Sequence, residues 1–127
     1  MARVTGIGGI FFKSGTPDEL SNWYERHLGI KRTPDGSAVF EWLEAADATT
    51  KAMTVWSIFP RDTNYFGNGP QNCMINYRVD NLDELLEQLK QTGVIIDPHR
   101  EDYDYGRFAW IVDPDGNRVE LWEPTKE

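Results

Sequence analysis

The chain has one cysteine, Cys73, two histidines, His27 and His99, and no long apolar run in its 127 residues. A single cysteine excludes an internal disulfide, and paired cysteines or histidines at zinc-type spacing are missing, so a reducing compartment is favoured. Basic residues are scarce: 13 Lys and Arg face 21 Asp and Glu, a net charge of -8. Without a basic cluster the surface repels nucleic acid and anionic membranes alike, which leaves a small molecule or another protein as partner. The longest apolar stretch, Gly6 to Phe12, is glycine-rich, ends at Lys13 and is too short to span a bilayer; it reads as a buried strand. No phosphate loop and no Ser-His-Asp set can be assembled. These absences predict a cytoplasmic protein of one globular domain over residues 1–127, a length suited to a single core.

The most informative segment that is present closes the chain. Asp113-Pro114-Asp115-Gly116 is a turn, with proline where φ is already near its fixed value and glycine where a left-handed residue completes the reversal. The flanking runs, Arg107 to Val112 and Arg118 to Glu123, are therefore antiparallel strands. Alternation puts Glu120 and Trp122 on one face, with Val119 and Leu121 on the other. An acid thus stands in a strand that is otherwise largely apolar.

An internal repeat runs through the chain at an offset of 65. Ile10 falls on Ile75, Phe12 on Tyr77, Thr16 on Asn81, Glu19 on Glu84 and Leu20 on Leu85. Thr16 and Asn81 suit helix N-caps, each followed three residues later by the glutamate of a capping box. The stripes Leu20, Trp23, Tyr24, Leu28 and Leu82, Leu85, Leu86, Leu89 have helical spacing, and Gly29 and Gly93 end the two helices. A strand precedes each helix, Thr5 to Lys13 and Asn72 to Val79. Three more are expected after each: Gly29 to Thr33, Ser37 to Glu44 and Ala52 to Phe59, then Val94 to Glu101, Arg107 to Val112 and Arg118 to Glu123. The prediction is α+β, two βαβββ modules (residues 1–60 and 72–124) joined by a connector over 60–71 that is poor in apolar periodicity.

A duplicated βαβββ chain whose first helix runs into Trp23-Tyr-Glu-Arg-His-Leu-Gly-Ile30, and whose second copy ends in Asp113-Pro-Asp-Gly-Asn117 and Glu120-Leu-Trp-Glu-Pro124, resembles the vicinal oxygen chelate superfamily of glyoxalases, bleomycin resistance proteins and extradiol dioxygenases. The resemblance implies a cup-shaped, partly closed β-barrel with the helices outside, and a homodimer. It also implies a divalent metal held by residues of the first and last strands of each copy, commonly two histidines and two acids or amides. Those positions fall on Gly9, Thr54, Met74 and Glu120, so only Glu120 is ligand-like. A catalytic divalent ion needs about three protein ligands, and no metal or other cofactor is expected.

Glu120 is therefore read as a lone acid in an aromatic cup, available as a general base or acid or as anchor for a cationic ligand. The structural alternative pairs it with Arg78, Arg107 or a backbone amide. Phe11, Trp56, Trp110 and Trp122 would line the pocket, Thr54 and Met74 occupy the vacated ligand positions, Asn76 is a candidate polar anchor, and Tyr103 and Tyr105 are candidate rim residues; plain core is the alternative for the aromatics. His27 reads as a helix-end partner, His99 as distant from the site and Cys73 as a small buried hydrophobe. The expected function is binding of a small organic molecule without the metal. The alternatives are a glyoxalase-type lyase or dioxygenase with an atypical metal site, or an isomerase using Glu120 as base.

Overall fold

The computed structural model describes residues 1–34 and 36–125. Its elements are β1 (Val4–Ser14), α1 (Pro17–Leu28), β2 (Ala38–Leu43), β3 (Lys51–Pro60), β4 (Cys73–Val79), α2 (Leu82–Gln91), β5 (Ile95–Tyr103), β6 (Gly106–Val112) and β7 (Arg118–Pro124). The α+β composition and the two helix-bearing copies follow the sequence pattern, and the expected strands that form start and stop within two residues of their predicted ends.

One expected strand is absent. Residues 29–34 form no strand. Helix α1 ends on a left-handed Gly29, and the chain then turns back on itself, Gly36 donating to the Thr33 carbonyl at 2.9 Å and Thr33 to that of Ser37 at 2.6 Å. The run Lys31-Arg32-Thr33-Pro34 has no alternating apolar side chains to bury and ends on a residue that cannot donate to a ladder. The first copy is therefore βαββ, whereas the second, with Val94-Ile95-Ile96 at the corresponding place, keeps all four strands.

The molecule divides into two compact units, Gly9–Cys73 and a second made of Met1–Gly8 with the chain from Met74 onward. In the first, the strand order is β2-β3-β1, β2 antiparallel to β3 and β3 parallel to β1. In the second, the opening residues of β1 precede β4-β7-β6-β5, with β4 parallel to β7 and the last hairpins antiparallel. The order ends on β2 in one unit and β5 in the other, and these two strands do not pair with each other among the described residues.

Each helix covers one face of its own sheet. In the second unit Leu82, Leu85, Leu86 and Leu89 of α2 pack on Val79, Ala109 and Leu121 with Tyr77, Ile111 and Val119 around them. Period-two alternation then commits Met74, Asn76, Arg78, Trp110, Glu120 and Trp122 to the opposite face. Asn81 caps α2 by accepting from the Glu84 amide at 3.1 Å. Thr16 does not cap α1: its side chain makes no capping bond, and its amide donates instead to Ser14 Oγ at 3.0 Å. Pro17, at the first helical position, lacks one of the N–H groups that have no partner within the helix.

In the first unit, Tyr24 of α1 meets both Phe12 and Trp56, ring centroids 6.1 and 5.1 Å away. Trp56 therefore lies on the helix side of β3, and by alternation Thr54 shares that side. The strand register agrees. Asn76 lies beside Glu120, and 65 residues earlier Phe11 lies beside Ser57, so Ser57 rather than Thr54 is the counterpart of Glu120.

Candidate functional site

The helix-free face of the second unit is organised by the closing turn. Asp113 accepts from the amides of Asp115 (3.0 Å) and Asn117 (2.9 Å) and from the Asn117 side chain (3.0 Å), while Gly116 adopts φ +86°. These bonds, the Asn117 side chain foremost, hold the Asp113 carboxyl below its ordinary range. The turn sets the β6–β7 register, in which Trp110 stands directly opposite Glu120 and Phe108 opposite Trp122.

Glu120 is 1% exposed and Asn76, its neighbour on β4, 2%. The Asn76 amide donates to Glu120 Oε1 at 2.5 Å and the Trp110 indole to Oε2 at 3.0 Å. Each oxygen of the Glu120 carboxyl group thus has an N–H donor. Arg107 binds Asp83 at 2.9 Å, and Arg78 donates to Thr5 Oγ at 3.3 Å.

Two buried polar atoms beside this pair have no hydrogen-bond partner among the described residues, Asn76 Oδ1 and Trp122 Nε1. Both lie against glycines. A Cβ on Gly8 would sit 2.2 Å from Asn76 Oδ1, and one on Gly106 would sit 2.4 Å from Trp122 Nε1. Glycine at these positions makes room for the amide and the indole. From Trp122 the aromatics continue outward: Phe108 stacks on it at 6.1 Å and meets Tyr103 and Tyr105 edge-on, and those two stack on each other at 5.1 Å. Tyr103 and Tyr105 are exposed. Tyr103 donates to Glu101 Oε1 at 2.6 Å, which pushes the phenol up to about 12 and holds the Glu101 carboxyl down.

His99 proves to be part of this neighbourhood. Ile96 pairs with Ile111 and Arg100 with Ala109, so Asp97-Pro98-His99 bulges opposite Trp110. The bulge stacks the His99 ring on Trp110 at 5.5 Å and brings its Nε2 to Glu101 Oε2 at 2.7 Å. Arg118 lies 5.1 Å over the same indole and donates to Asp97 Oδ2 at 2.6 Å. The His99 amide and Arg118 together keep the Asp97 carboxyl below its usual range. Pro98 is the sequence signal, since proline inside a strand marks a bulge, and bulges re-aim their neighbours.

Of the residues singled out from sequence, Met74, Asn76, Trp110, Glu120 and Trp122 share one face of the second unit, and Tyr103 and Tyr105 connect to it through Phe108. The others belong to the first unit. Phe11 packs with Phe59 and Tyr65, Trp56 with Phe12 and Tyr24, and Thr54 accepts from the Trp42 indole at 2.9 Å. Cys73, expected to be buried, is exposed at the start of β4.

Over residues 7–121 the chain matches the model of the Glyoxalase/Bleomycin resistance protein/Dioxygenase superfamily. It belongs to that superfamily. Solved structures share the fold at low identity. Methylmalonyl-CoA epimerase from Mycobacterium tuberculosis is 20% identical with a TM-score of 0.58, over 97% of this chain and 90% of that one. A variant of the Streptomyces coelicolor epimerase, in complex with 2-nitronate-propionyl-CoA, is 12% identical with a TM-score of 0.69, over 98% and 100%. The NAD-dependent benzaldehyde dehydrogenase from Legionella pneumophila is 15% identical with a TM-score of 0.59, over 92% and 98%. For this glyoxalase-superfamily chain the donor chemistry around Glu120 does not fit a divalent ion. Both carboxylate oxygens accept from N–H groups, and among the described residues no three His, Cys, Asp or Glu side chains cluster. No helix among the described residues is long and apolar enough to cross a membrane.

Proposed function

We propose that this chain binds a small organic molecule on the helix-free face of its second unit, with Glu120 as the polar anchor and without a divalent metal. The observation that carries this reading is the buried carboxylate itself. Glu120 is 1% exposed, is held by an amide and an indole, and stands among aromatic side chains with two unpartnered polar atoms beside it. Burying an acid costs several kcal/mol unless its partners compensate. Plain sheet packing would be served better by an apolar residue, which favours a binding role for the acid. Ligand sites are mostly apolar with a few placed polar groups, which is the composition of this face. Its free donor, Trp122 Nε1, and free acceptor, Asn76 Oδ1, suit a ligand offering one carbonyl and one N–H or O–H. Epimerase structures of the same fold hold acyl-CoA compounds, but a net charge of -8 disfavours a polyanionic ligand here. We place the protein in the cytoplasm, in keeping with its lone cysteine.

Titration with a library of small carbonyl and amide compounds, read by indole fluorescence and melting temperature, tests the proposal. A ligand should quench the fluorescence of the wild type and raise its melting temperature, and Glu120→Gln should lose at least about tenfold in affinity, the size expected when a charged hydrogen bond is lost. A ligand bound equally by Glu120→Gln would remove Glu120 as anchor. Exchange of a substrate proton with solvent that stops in Glu120→Gln while binding persists would instead make Glu120 the base of an isomerase. A stoichiometric divalent ion bound at Glu120 would overturn the metal-free reading.

A further inference from the structure

The two copies differ in what covers the strand next to the hairpin partner. In the second copy β6 is flanked by β7 on one side and by β5 on the other. In the first copy β2 plays the part of β6, antiparallel to β3 as β6 is to β7, but among the described residues it pairs with β3 alone. The strand that would have flanked it, residues 29–34, does not form. The second copy shows what such an edge receives, an antiparallel strand.

The two terminal strands are built differently. β5 carries Pro98, a bulge and the charged run His99-Arg-Glu-Asp102, the devices that protect a sheet edge from further pairing. β2 carries none of them. It reads Ala38-Val-Phe-Glu-Trp-Leu43, with one charge, and pairs with β3 at every position without a bulge. Phe40 is 48% and Leu43 54% exposed, with Val39 and Met53 of β3 also exposed beside them. A flat, apolar and unpaired edge is a template for strand addition.

We infer that β2 is a strand-addition edge whose occupant is β2 of a second copy of this chain, joined antiparallel about a two-fold axis at Phe40. The sequence of the strand is self-complementary in that register. Phe40 faces Phe40 of the second copy, Ala38 faces Trp42 and Val39 faces Glu41, so the two Glu41 carboxylates are not opposed. A register centred on Glu41 would set like charges directly across from each other, which destabilises a sheet pair. A two-fold interface of this kind closes after two copies. Each chain carries -8, so repulsion opposes the pairing and added salt strengthens it.

Sedimentation equilibrium from micromolar to millimolar protein, at low and physiological salt, tests the inference. The wild type should approach twice 14.6 kDa, with a lower dissociation constant at higher salt. Phe40→Lys and Leu43→Lys change exposed side chains and should keep the circular dichroism spectrum, while each raises the dissociation constant about tenfold or more. Ile95→Lys, at an exposed position of β5, should leave it unchanged. Hydrogen exchange on the wild type provides a reading independent of the variants: β2 amides should slow as concentration rises, and β5 amides should not. A wild type that stays at 14.6 kDa to millimolar concentration overturns the inference. So does a dimer that persists in folded Phe40→Lys and Leu43→Lys, or one whose β2 amides exchange as in the monomer, since another surface would then hold it. An assembly that grows beyond two copies overturns the two-fold register.

Discussion

The two copies use the same parallel strand pair for opposite purposes. In the second, β4 and β7 set Asn76 beside Glu120 and bury both. In the first, β1 and β3 set Phe11 beside Ser57, and Phe11 joins Phe59, Tyr65 and Phe66 in an aromatic cluster. Both copies also direct a tryptophan N–H at an oxygen on the neighbouring strand, Trp110 at Glu120 and Trp42 at Thr54, but from opposite faces of their sheets. The scaffold thus tolerates either an apolar or a polar pair at one position. The difference shows that a βαβ frame is set by its apolar face and turns, while the chemistry is set by two or three residues on the other face.

Making the copies alike at one backbone position should have the largest effect. Cys73 stands 65 residues after Gly8, so Gly8→Cys writes the second copy's residue into the first. Its Cβ would lie 2.2 Å from Asn76 Oδ1, 2.9 Å from Trp122 Cε3 and 3.3 Å from the Arg78 amide. Because the strand backbone blocks relaxation, we expect a loss of ~3 kcal/mol of stability in urea unfolding. A cost under ~0.5 kcal/mol, the range of ordinary surface changes, would mean that the amide and indole move aside freely.

The paired tryptophans offer a matched test. Trp110→Phe deprives a buried carboxylate of a donor and should cost ~2–3 kcal/mol, whereas Trp42→Phe deprives a threonine hydroxyl and should cost ~1 kcal/mol. Equal losses would remove the distinction drawn between the two copies. Glu120→Gln should be milder than Trp110→Phe, at ~1–2 kcal/mol, because the Asn76 amide can turn over and offer its unpartnered Oδ1 to the new side-chain N–H. A Glu120→Gln variant less stable than Trp110→Phe would argue against that rotation.

The smallest effect concerns acid. Asp97 has a depressed carboxyl, so the stability it contributes is present above its unfolded value near 3.8 and is lost as pH falls through the lower folded value. Asp97→Asn should lower the melting temperature by ~2–4 °C at neutral pH and flatten its fall below the ordinary carboxylate range. The same substitution at Asp47, in a turn of the first unit whose bonds are to Thr49 and Thr50, should change the acid limb less, since that side chain is fully solvated.

Most of the second unit was legible in advance. The closing turn specifies the β6–β7 register, and period-two alternation from Leu121 and Val119 then commits Glu120, Trp122 and Trp110 to the opposite face. The first unit was less so. Val55-Trp56 looks like Leu121-Trp122, and that likeness made Thr54 the counterpart of Glu120, but aromatic residues serve on either face of a strand. Only the contact of Trp56 with Tyr24 shows that it faces the helix. His99 was misplaced because a straight strand carries it away from Trp110 and the bulge at Pro98 brings it back.

By itself the sequence determined the repeat, the two helices, the seven strands that form and the face on which the acid stands, because turn chemistry and apolar period act over a few residues. Only the tertiary structure decided which groups hold Glu120, that His99 and Arg118 share the Trp110 indole, and that β2 pairs with β3 alone among the described residues. Hydrogen bonds and strand pairing join residues far apart in the chain, and their partners depend on registers and bulges that no local pattern records.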